Sequence, residues 1–579
     1  MQKYLMPSKL SRALPHQIVL CAVAFVAILP MLFCGTSCGH DFEFHLLSWL
    51  EAANQFAHFG YPHWAFTPAW GAGEPRFIFY PPLSWTLGAL LGLVLPWKFV
   101  AIAFSWVALS LSGATMHRLA SRFVDPNAAL LAATLYVVNP YMLFTVYERA
   151  AYGELLAAAC LPLLFAAILA TRVRIVPIAV ALALIWLTNA PAGVMSSYAL
   201  AFVTTVRLTT RFGGHSERGE ESRPFVLRPK LRLATTVAAG TALAFALAAF
   251  FLVPAVYEQR FVQVNMAVTT GMRPVDHTLF HRMPGKAEDN DYHDDVVRTA
   301  SLVAVTLLSG IAIAFFFAHR NKTTCHPSRS GGPASTLLSL ALLTLLIAFL
   351  LTPASLFLWS HVPKLTFLQF PWRLCALLGV TLALTTALAL QGRLRSIPYS
   401  LFPIPCLLLA AAISLPAWHL FHQPCDSADT VAARVALFHS NLGTDPTDEY
   451  TPSWVDGDLV KPGDPPFWLL PDKAPIDSPP PTGAPPGAAP THLTLDTHTR
   501  ATVVLNRRQF PLWQIFCNGH SCTPYHRGDG LIALPIPAGM YTIDLIASRT
   551  PDQTIGFGVS VVAVLIAGGL GYRRRTKAA

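Results

Sequence analysis

Charge is what this chain has least of: Asp, Glu, Lys and Arg make up only 12% of its 579 residues, against 53% hydrophobic side chains. So little charge cannot clothe a globule of this size in water, which excludes a purely soluble protein and makes the bilayer part of the solvent. A phosphate-cradling glycine loop and a nucleotide-binding domain are also missing, which argues against direct use of a nucleotide-sugar on the inner side. No basic stripe is interleaved with aromatics. The net charge of +10 therefore reads as a topology signal with some attraction to anionic lipid, and nucleic acid is excluded as a partner. The ten cysteines include no Cys-x-x-Cys and no zinc-ligand spacing, which argues against redox and zinc roles. The first apolar run lacks a small-x-small cleavage site, and Phe33 before Cys34 spoils a lipoprotein box, so it reads as an uncleaved signal anchor.

What is present is a series of apolar runs of roughly 17 to 22 residues, the length that crosses a bilayer as helix. Spans are expected near 17–34, 98–117, 128–146, 155–171, 175–189, 192–207, 233–253, 299–318, 335–352, 374–391, 398–417 and 555–572, about twelve in all. The stretch 79–96 begins at Pro81-Pro82, which suits an interfacial start better than mid-helix burial. Kept on the outer face, it leaves Arg118, Arg122, Arg172, Arg174, the run Arg207 to Arg232, Arg320 to Arg329, Arg393, Arg395 and Arg573 to Lys577 inside, and most acids outside, as the positive-inside rule demands. Both termini are then cytoplasmic.

The fold class expected is a mainly α, polytopic helical membrane protein with a small extracytoplasmic β-sandwich near the C-terminus. Residues 1–417 form the membrane module, with outer loops 35–97, 147–154, 254–298 and 353–373. The proline-dense segment 418–490 is an extended linker or irregular wrap. In 491–554, Leu493/Leu495, Val503/Leu505, Ile515, Leu531/Ala533 and Tyr541/Ile543/Leu545 alternate at strand period around turn signals at Asn518-Gly519 and Gly528-Asp529-Gly530. The span and basic tail 555–579 close the chain. Cys517 and Cys522 flank Asn-Gly-His-Ser as a hairpin-closing disulfide would, and Cys34 and Cys38 are placed to pair similarly. Cys21, Cys160, Cys375 and Cys406 lie within spans as packing residues.

Chemistry belongs to the outer loops. Gly39-His40-Asp41-Phe42-Glu43-Phe44-His45 puts four ionisable groups just beyond a membrane helix. Desolvation there can tune a carboxylate as a general base, or two carboxylates can hold a cation, while the plainer alternative makes Asp41 a helix cap. The aromatics of the same loop, among them Tyr61, Trp64, Phe77 and Tyr80, suit the headgroup region or a sugar face. Glu148, Arg149 and Glu154 form a second cluster, Glu258 ends a span, and Glu288 to Asp295 reads as a solvated acidic loop. Arg373 enters a span from outside, against the positive-inside rule, and needs either a carboxylate or an anionic phosphate as partner.

The order His40-Asp41-x-x-x-His45, Gly71-x-Gly73-x-Pro75 leading to Tyr80-Pro81-Pro82, Arg149-x-x-Tyr152-Gly153-Glu154, Pro254-x-x-Tyr257-Glu258 and Gln369-Phe370-Pro371-Trp372-Arg373 resembles bacterial integral membrane proteins labelled 6-pyruvoyl-tetrahydropterin-synthase-related. That label names no chemistry here. Those proteins resemble in turn the GT-C glycosyltransferase superfamily, and the likeness includes Thr447-Asp448-Glu449-Tyr450-Thr451-Pro452 and Phe510-Pro511-Leu512-Trp513-Gln514-Ile515, ending at Asn518-Gly519. It implies a GT-C-like enzyme of the bacterial inner (plasma) membrane and cell envelope, moving a hexosyl or pentosyl group from a polyprenyl-phosphate donor to a glycan, lipid or protein acceptor. By the same resemblance Asp41 is the catalytic base and Glu43 its helper or metal ligand. Where many superfamily members carry Asp-x-Asp, this chain has Asp41-x-Glu43, which leaves a divalent cation, Mg or Mn, open as cofactor. Arg149 and Arg373 hold the leaving phosphate, and His45, Glu148, Glu154, Glu258, Gln369 and Trp372 complete the substrate side. The rival class is a non-enzymatic lipid or polysaccharide transporter or assembly factor. Transporters place ionisable groups near the midplane of broken, repeated helices, whereas the acids here stand at the outer boundary and no repeat is visible. The enzyme reading requires Asp41, Glu148, Glu258 and Arg373 to converge on one cavity.

Overall fold

The computed structural model describes residues 9–210, 223–285, 287–320, 333–455 and 459–575; parts of the basic connectors expected at 208–232 and 320–329, and the end of the basic tail, lie outside the described residues. Among the described residues, eight helices are long and apolar enough to cross a membrane: His16–Cys34, Trp97–Ala120, Pro126–Tyr147, Lys230–Leu247, Asp289–Arg320, Pro371–Leu390, Pro403–Phe421 and Pro551–Tyr572. A pair bent by 95°, Ser335–Leu350 with Pro353–His361, makes a ninth if it counts as one span. The chain is thus a mainly helical, integral membrane protein with fewer full-length spans among the described residues than the twelve expected. The physical reason is helix length. Ile175–Trp186 has 12 residues, about 18 Å of helix against a hydrocarbon core of about 30 Å, and 155–171 is divided between Tyr152–Ala158 and Leu161–Ile168. The stretch 79–96 becomes the 13-residue helix Pro82–Val94, with Pro82 in its first turn where no amide donor is needed.

Segments that charge assigned to one side meet at one end of the bundle. Arg122 donates to the Ala166 carbonyl, Arg207 Nη2 to that of Ala170 at 3.0 Å, and Asn127 Nδ2 to those of Leu394 at 2.9 Å and Ile397 at 3.0 Å. The opposite end gathers 35–45, 147–154, 365–373 and 422–434. The disulfide there joins Cys38 to Cys425 across 387 residues, and Cys34 is free. This corrects the expected Cys34–Cys38 pair: local spacing could not reveal a partner so far along the chain. Glu288 to Asp295 is also corrected, from a loop to the first turns of the helix Glu288–Arg320; the acids stand at a helix N-terminus, where the dipole favours them.

The C-terminal part is a pair of antiparallel sheets. The strands are β1 (Phe467–Pro471), β2 (His492–Thr497), β3 (Ala501–Arg508), β4 (Trp513–Cys517), β5 (His520–Ser521), β6 (Leu531–Ile536) and β7 (Gly539–Ala547). One sheet has the order β1-β3-β6 and the other β2-β7-β4-β5. Val503, Leu505, Ile532 and Leu534 face Ile515, Ile543 and Leu545 in a common core, and the Cys517–Cys522 disulfide is formed. Strand β1 comes from the proline-dense segment expected only to link or wrap. The three-stranded sheet is also covered on its other side, where Val504, Ala533, Trp468 and Leu470 pack on Ala69 and Ala72 of the first long loop. That second contact explains why β3 is buried almost throughout instead of alternating.

Candidate functional site

Asp41 stands at the N-cap of the helix Phe42–Ala57, yet its side chain makes no cap hydrogen bond. The carboxylate turns instead to Arg149, whose Nη2 donates to Oδ2 at 3.2 Å. The backbone enforces this approach: Asp41 N donates to the Arg149 carbonyl at 2.9 Å, and Ser37 Oγ to that of Tyr147 at 2.5 Å. Gly39 is needed where the two segments cross, because a Cβ there would lie 2.3 Å from the Glu148 carbonyl oxygen.

Arg149 is buried to 1% of its side-chain surface and donates through Nη1 to Glu154 Oε2 at 2.6 Å. The same oxygen faces Arg373 Nε at 3.5 Å, and Tyr141 donates its hydroxyl to Glu154 Oε1. One glutamate thus sits between two arginines, and the Asp41 carboxylate completes the charge balance. Arg149 lies over the Trp372 ring at 4.7 Å and Arg373 over the Phe370 ring at 4.6 Å, with Phe370 and Trp372 stacked 4.8 Å apart. Gln369 ties this platform down: Oε1 accepts from Arg373 Nη1 at 3.1 Å while Nε2 donates to the Ala267 carbonyl at 2.6 Å. The Gln-Phe-Pro-Trp-Arg motif therefore works as one piece. Two non-glycine residues flanking the cluster, Ala150 and Gln369, adopt left-handed φ values of 49° and 60°, local strain of the kind that collects at functional sites.

The electrostatics follow from this packing. Burial alone would raise the Asp41 carboxyl, but the surrounding positive charges, Arg149 foremost, outweigh it and hold the group below the usual carboxylate range. Burial pushes His45 down to about 4, so it is neutral at pH 7, with Tyr80 Oη 3.4 Å from Nε2 and the Tyr152 ring edge-on at 5.3 Å. Burial also raises Glu148 to about 7; its Oε1 is 3.9 Å from His40 Nε2. Asp41 keeps 39% of its side chain exposed, which leaves the carboxylate open to a bound molecule while the arginines stay sheltered.

Of the residues singled out in the sequence, the structure gathers Asp41, Arg149, Glu154, Gln369, Trp372 and Arg373, with His45 and Glu148 alongside. It does not bring Glu258 to them. Glu258 instead accepts from Thr550 and Gln553, at the start of the last helix, so the expected convergence of Asp41, Glu148, Glu258 and Arg373 is not met: only the other three lie together. Glu43 faces Arg434 Nη1 at 2.7 Å. Asp41 and Glu43 thus lean on different arginines and, as they stand, do not fit a shared divalent cation; among the described residues no group of three His, Cys, Asp or Glu gathers to hold a metal. Several first-loop aromatics pack inside the protein: Trp64 meets Trp513 at 5.5 Å and Phe79 stacks on Tyr450 at 5.6 Å. The sequence reading missed Tyr141 and Arg434. The Asn139-Pro140 break just before Tyr141 was a usable signal, since Asn139 caps the helix that carries it; nothing local marks Arg434.

No family model matches the chain, and no curated protein matches it. Among solved structures, the apo oligosaccharyltransferase of Archaeoglobus fulgidus aligns at 14% identity over 72% of this chain and 56% of its own, with a TM-score of 0.39. The arabinofuranosyltransferase AftD from Mycobacteria aligns at 14% identity over 93% of this chain and 40% of its own, with a TM-score of 0.41. The archaeal oligosaccharyltransferase AglB from Archaeoglobus fulgidus, in complex with an inhibitory peptide and a dolichol-phosphate, aligns at 12% identity, 72% and 57% coverage, and a TM-score of 0.40. The chain spans about half the length of these proteins. At such identities and scores the chemistry has to be read from this chain's own residues.

Proposed function

We propose that this protein is a membrane glycosyltransferase that moves a sugar from a polyprenyl-phosphate donor to a glycan, lipid or protein acceptor outside the cytoplasm. The observation that carries the reading is the neutral cluster Asp41–Arg149–Glu154–Arg373 on its Phe370/Trp372 platform, at the end of the bundle opposite the basic connectors. Two guanidiniums held side by side by one glutamate form a seat for a phosphate, and departure of a phosphate from a sugar carbon develops the negative charge that fixed guanidiniums stabilise.

Asp41 is then the proton acceptor. Paired with Arg149 it is ionised but weakly basic. A donor phosphate seated on Arg149 and Arg373 competes for that positive charge, and the carboxylate gains basicity as the acceptor hydroxyl arrives. Donor binding and activation of the base are in this way one event.

The test is sugar transfer by the purified protein in lipid, with a panel of polyprenyl-phosphate sugars and a membrane extract as acceptor. Asp41→Asn is expected to lower transfer by at least about 100-fold with unfolding temperature little changed. Wild-type protein inert with every donor, the cell's own lipid-linked sugars included, would sink the reading.

A further inference from the structure

A second buried acidic site lies where the sheet pair hands over to the helix Pro551–Arg575. Glu258, at the end of the helix Ala249–Glu258, has no exposed surface, and Asp552 and Gln553 are each only 7% exposed. Glu258 Oε1 accepts from Thr550 Oγ1 at 3.1 Å and from Gln553 Nε2 at 3.0 Å. The Asp552 carboxyl stands in hydrogen-bonding contact with Glu258. Three oxygens remain buried with no donor: Glu258 Oε2, Asp552 Oδ2 and Gln553 Oε1.

Among the described residues, no Lys, Arg or His forms an ion pair with either acid. The nearby Arg549 lies over the Phe557 ring at 5.4 Å instead. Two carboxylates facing each other at the root of a membrane helix are costly unless something positive sits between them. A single shared proton would join the two carboxyls and leave the Gln553 oxygen unmet; a hard cation is the kind of partner that can take carboxylate and amide oxygens together as ligands. The donors are all oxygen, two carboxylates and an amide carbonyl with the Thr550 hydroxyl adjacent, which suits a hard cation and not the softer metals that seek imidazole or thiolate. Of the three residues, Gln553 also lines a neighbouring cavity of about 510 Å³, beside Pro254 and Arg549.

We propose that Glu258, Asp552 and Gln553 bind a divalent cation of the calcium class, which clamps the last helix and the adjoining sheet pair to the helix Ala249–Glu258. The site is separate from the Asp41 cluster, and the proposal stands whether or not the protein transfers sugars.

The experiment uses the full chain in detergent or nanodiscs, stripped with chelator and titrated with Ca2+ by calorimetry, with thermal unfolding read in parallel. The expected result is one Ca2+ per chain, a rise in unfolding temperature on binding and its reversal by chelator. The double variant Glu258→Gln/Asp552→Asn, which replaces the charges with amides of the same shape and so preserves the fold, should weaken that binding by more than 100-fold, while Asp41→Asn leaves it unchanged. Absence of Ca2+ binding to wild-type protein, or equal binding to the double variant, overturns the proposal. So does a wild type that binds no ion and loses stability with rising pH where the double variant does not, since that result assigns the pair a shared proton.

Discussion

Two of the protein's buried acidic sites are built on opposite plans. Around Glu154, each carboxylate is matched by a guanidinium within 3.5 Å; around Glu258, two carboxyls meet with no ion-paired base among the described residues. The first arrangement is stable as it stands and keeps one carboxylate, Asp41, accessible. The second is incomplete without an added positive charge. Matched charge lets a site exchange one anion for another, and unmatched charge makes a site depend on what fills it.

The largest effect should come from unbalancing the first site. Arg149→Leu leaves Asp41 and Glu154 short of a partner, and unfolding in detergent is expected to lose about 3–5 kcal/mol; the mirror change at the second site, Glu258→Gln, should leave the metal-free protein no less stable, because it removes a repulsion. If both variants lost the same amount, the contrast between the sites would be wrong. Next comes Cys38→Ser, which releases the link to Cys425 and is expected to cost about 2–4 kcal/mol and to widen proteolytic access to the Asp41 segment. Gly39→Ala drives a Cβ against the Glu148 carbonyl and should cost about 1–3 kcal/mol, read as a lower unfolding temperature together with a loss of transfer activity.

The pH dependence sharpens the same comparison. Glu148 is held at about 7 against an ordinary 4.5, facing His40, Asp295 and the side chain of Gln423. The unfolded chain ionises this group from about pH 4.5, the folded one only near 7, so its contribution to stability is fully present below 4.5 and lost as pH rises through 7. Melting curves across that window should show the fall in wild type and a flatter profile in Glu148→Gln. The smallest expected effect is on folding in Asp41→Asn, about 0–1 kcal/mol because the pair is partly exposed.

Much of the candidate site was legible because its members break a rule where they stand. Arg373 violates the positive-inside pattern, and Asp41, Arg149 and Glu154 are charges crowded at span ends; the compensation each needed turned out to be the others. Glu258 looked the same in sequence and found Thr550, Gln553 and a second acid, Asp552, instead of an arginine, a distinction set by packing some 292 residues away. The span count differs for another reason: hydropathy records how apolar a stretch is, and helix breaks such as that between Ala158 and Leu161 do not alter composition. Arg434 and Cys425 were invisible because each partner lies hundreds of residues earlier, beyond any local period.

The bond between Cys38 and Cys425 closes a covalent ring, and every member of the Asp41 cluster lies inside it while the sheet pair and last helix lie outside. Residue 38 leaves the ribosome 387 residues before its partner, so oxidation of this pair has to wait for most of the chain. The arrangement around Asp41 is therefore finished late in biosynthesis. A nick anywhere between 38 and 425 leaves the ring members covalently joined, whereas one cut between 426 and 490 leaves the C-terminal portion with no covalent link to the ring.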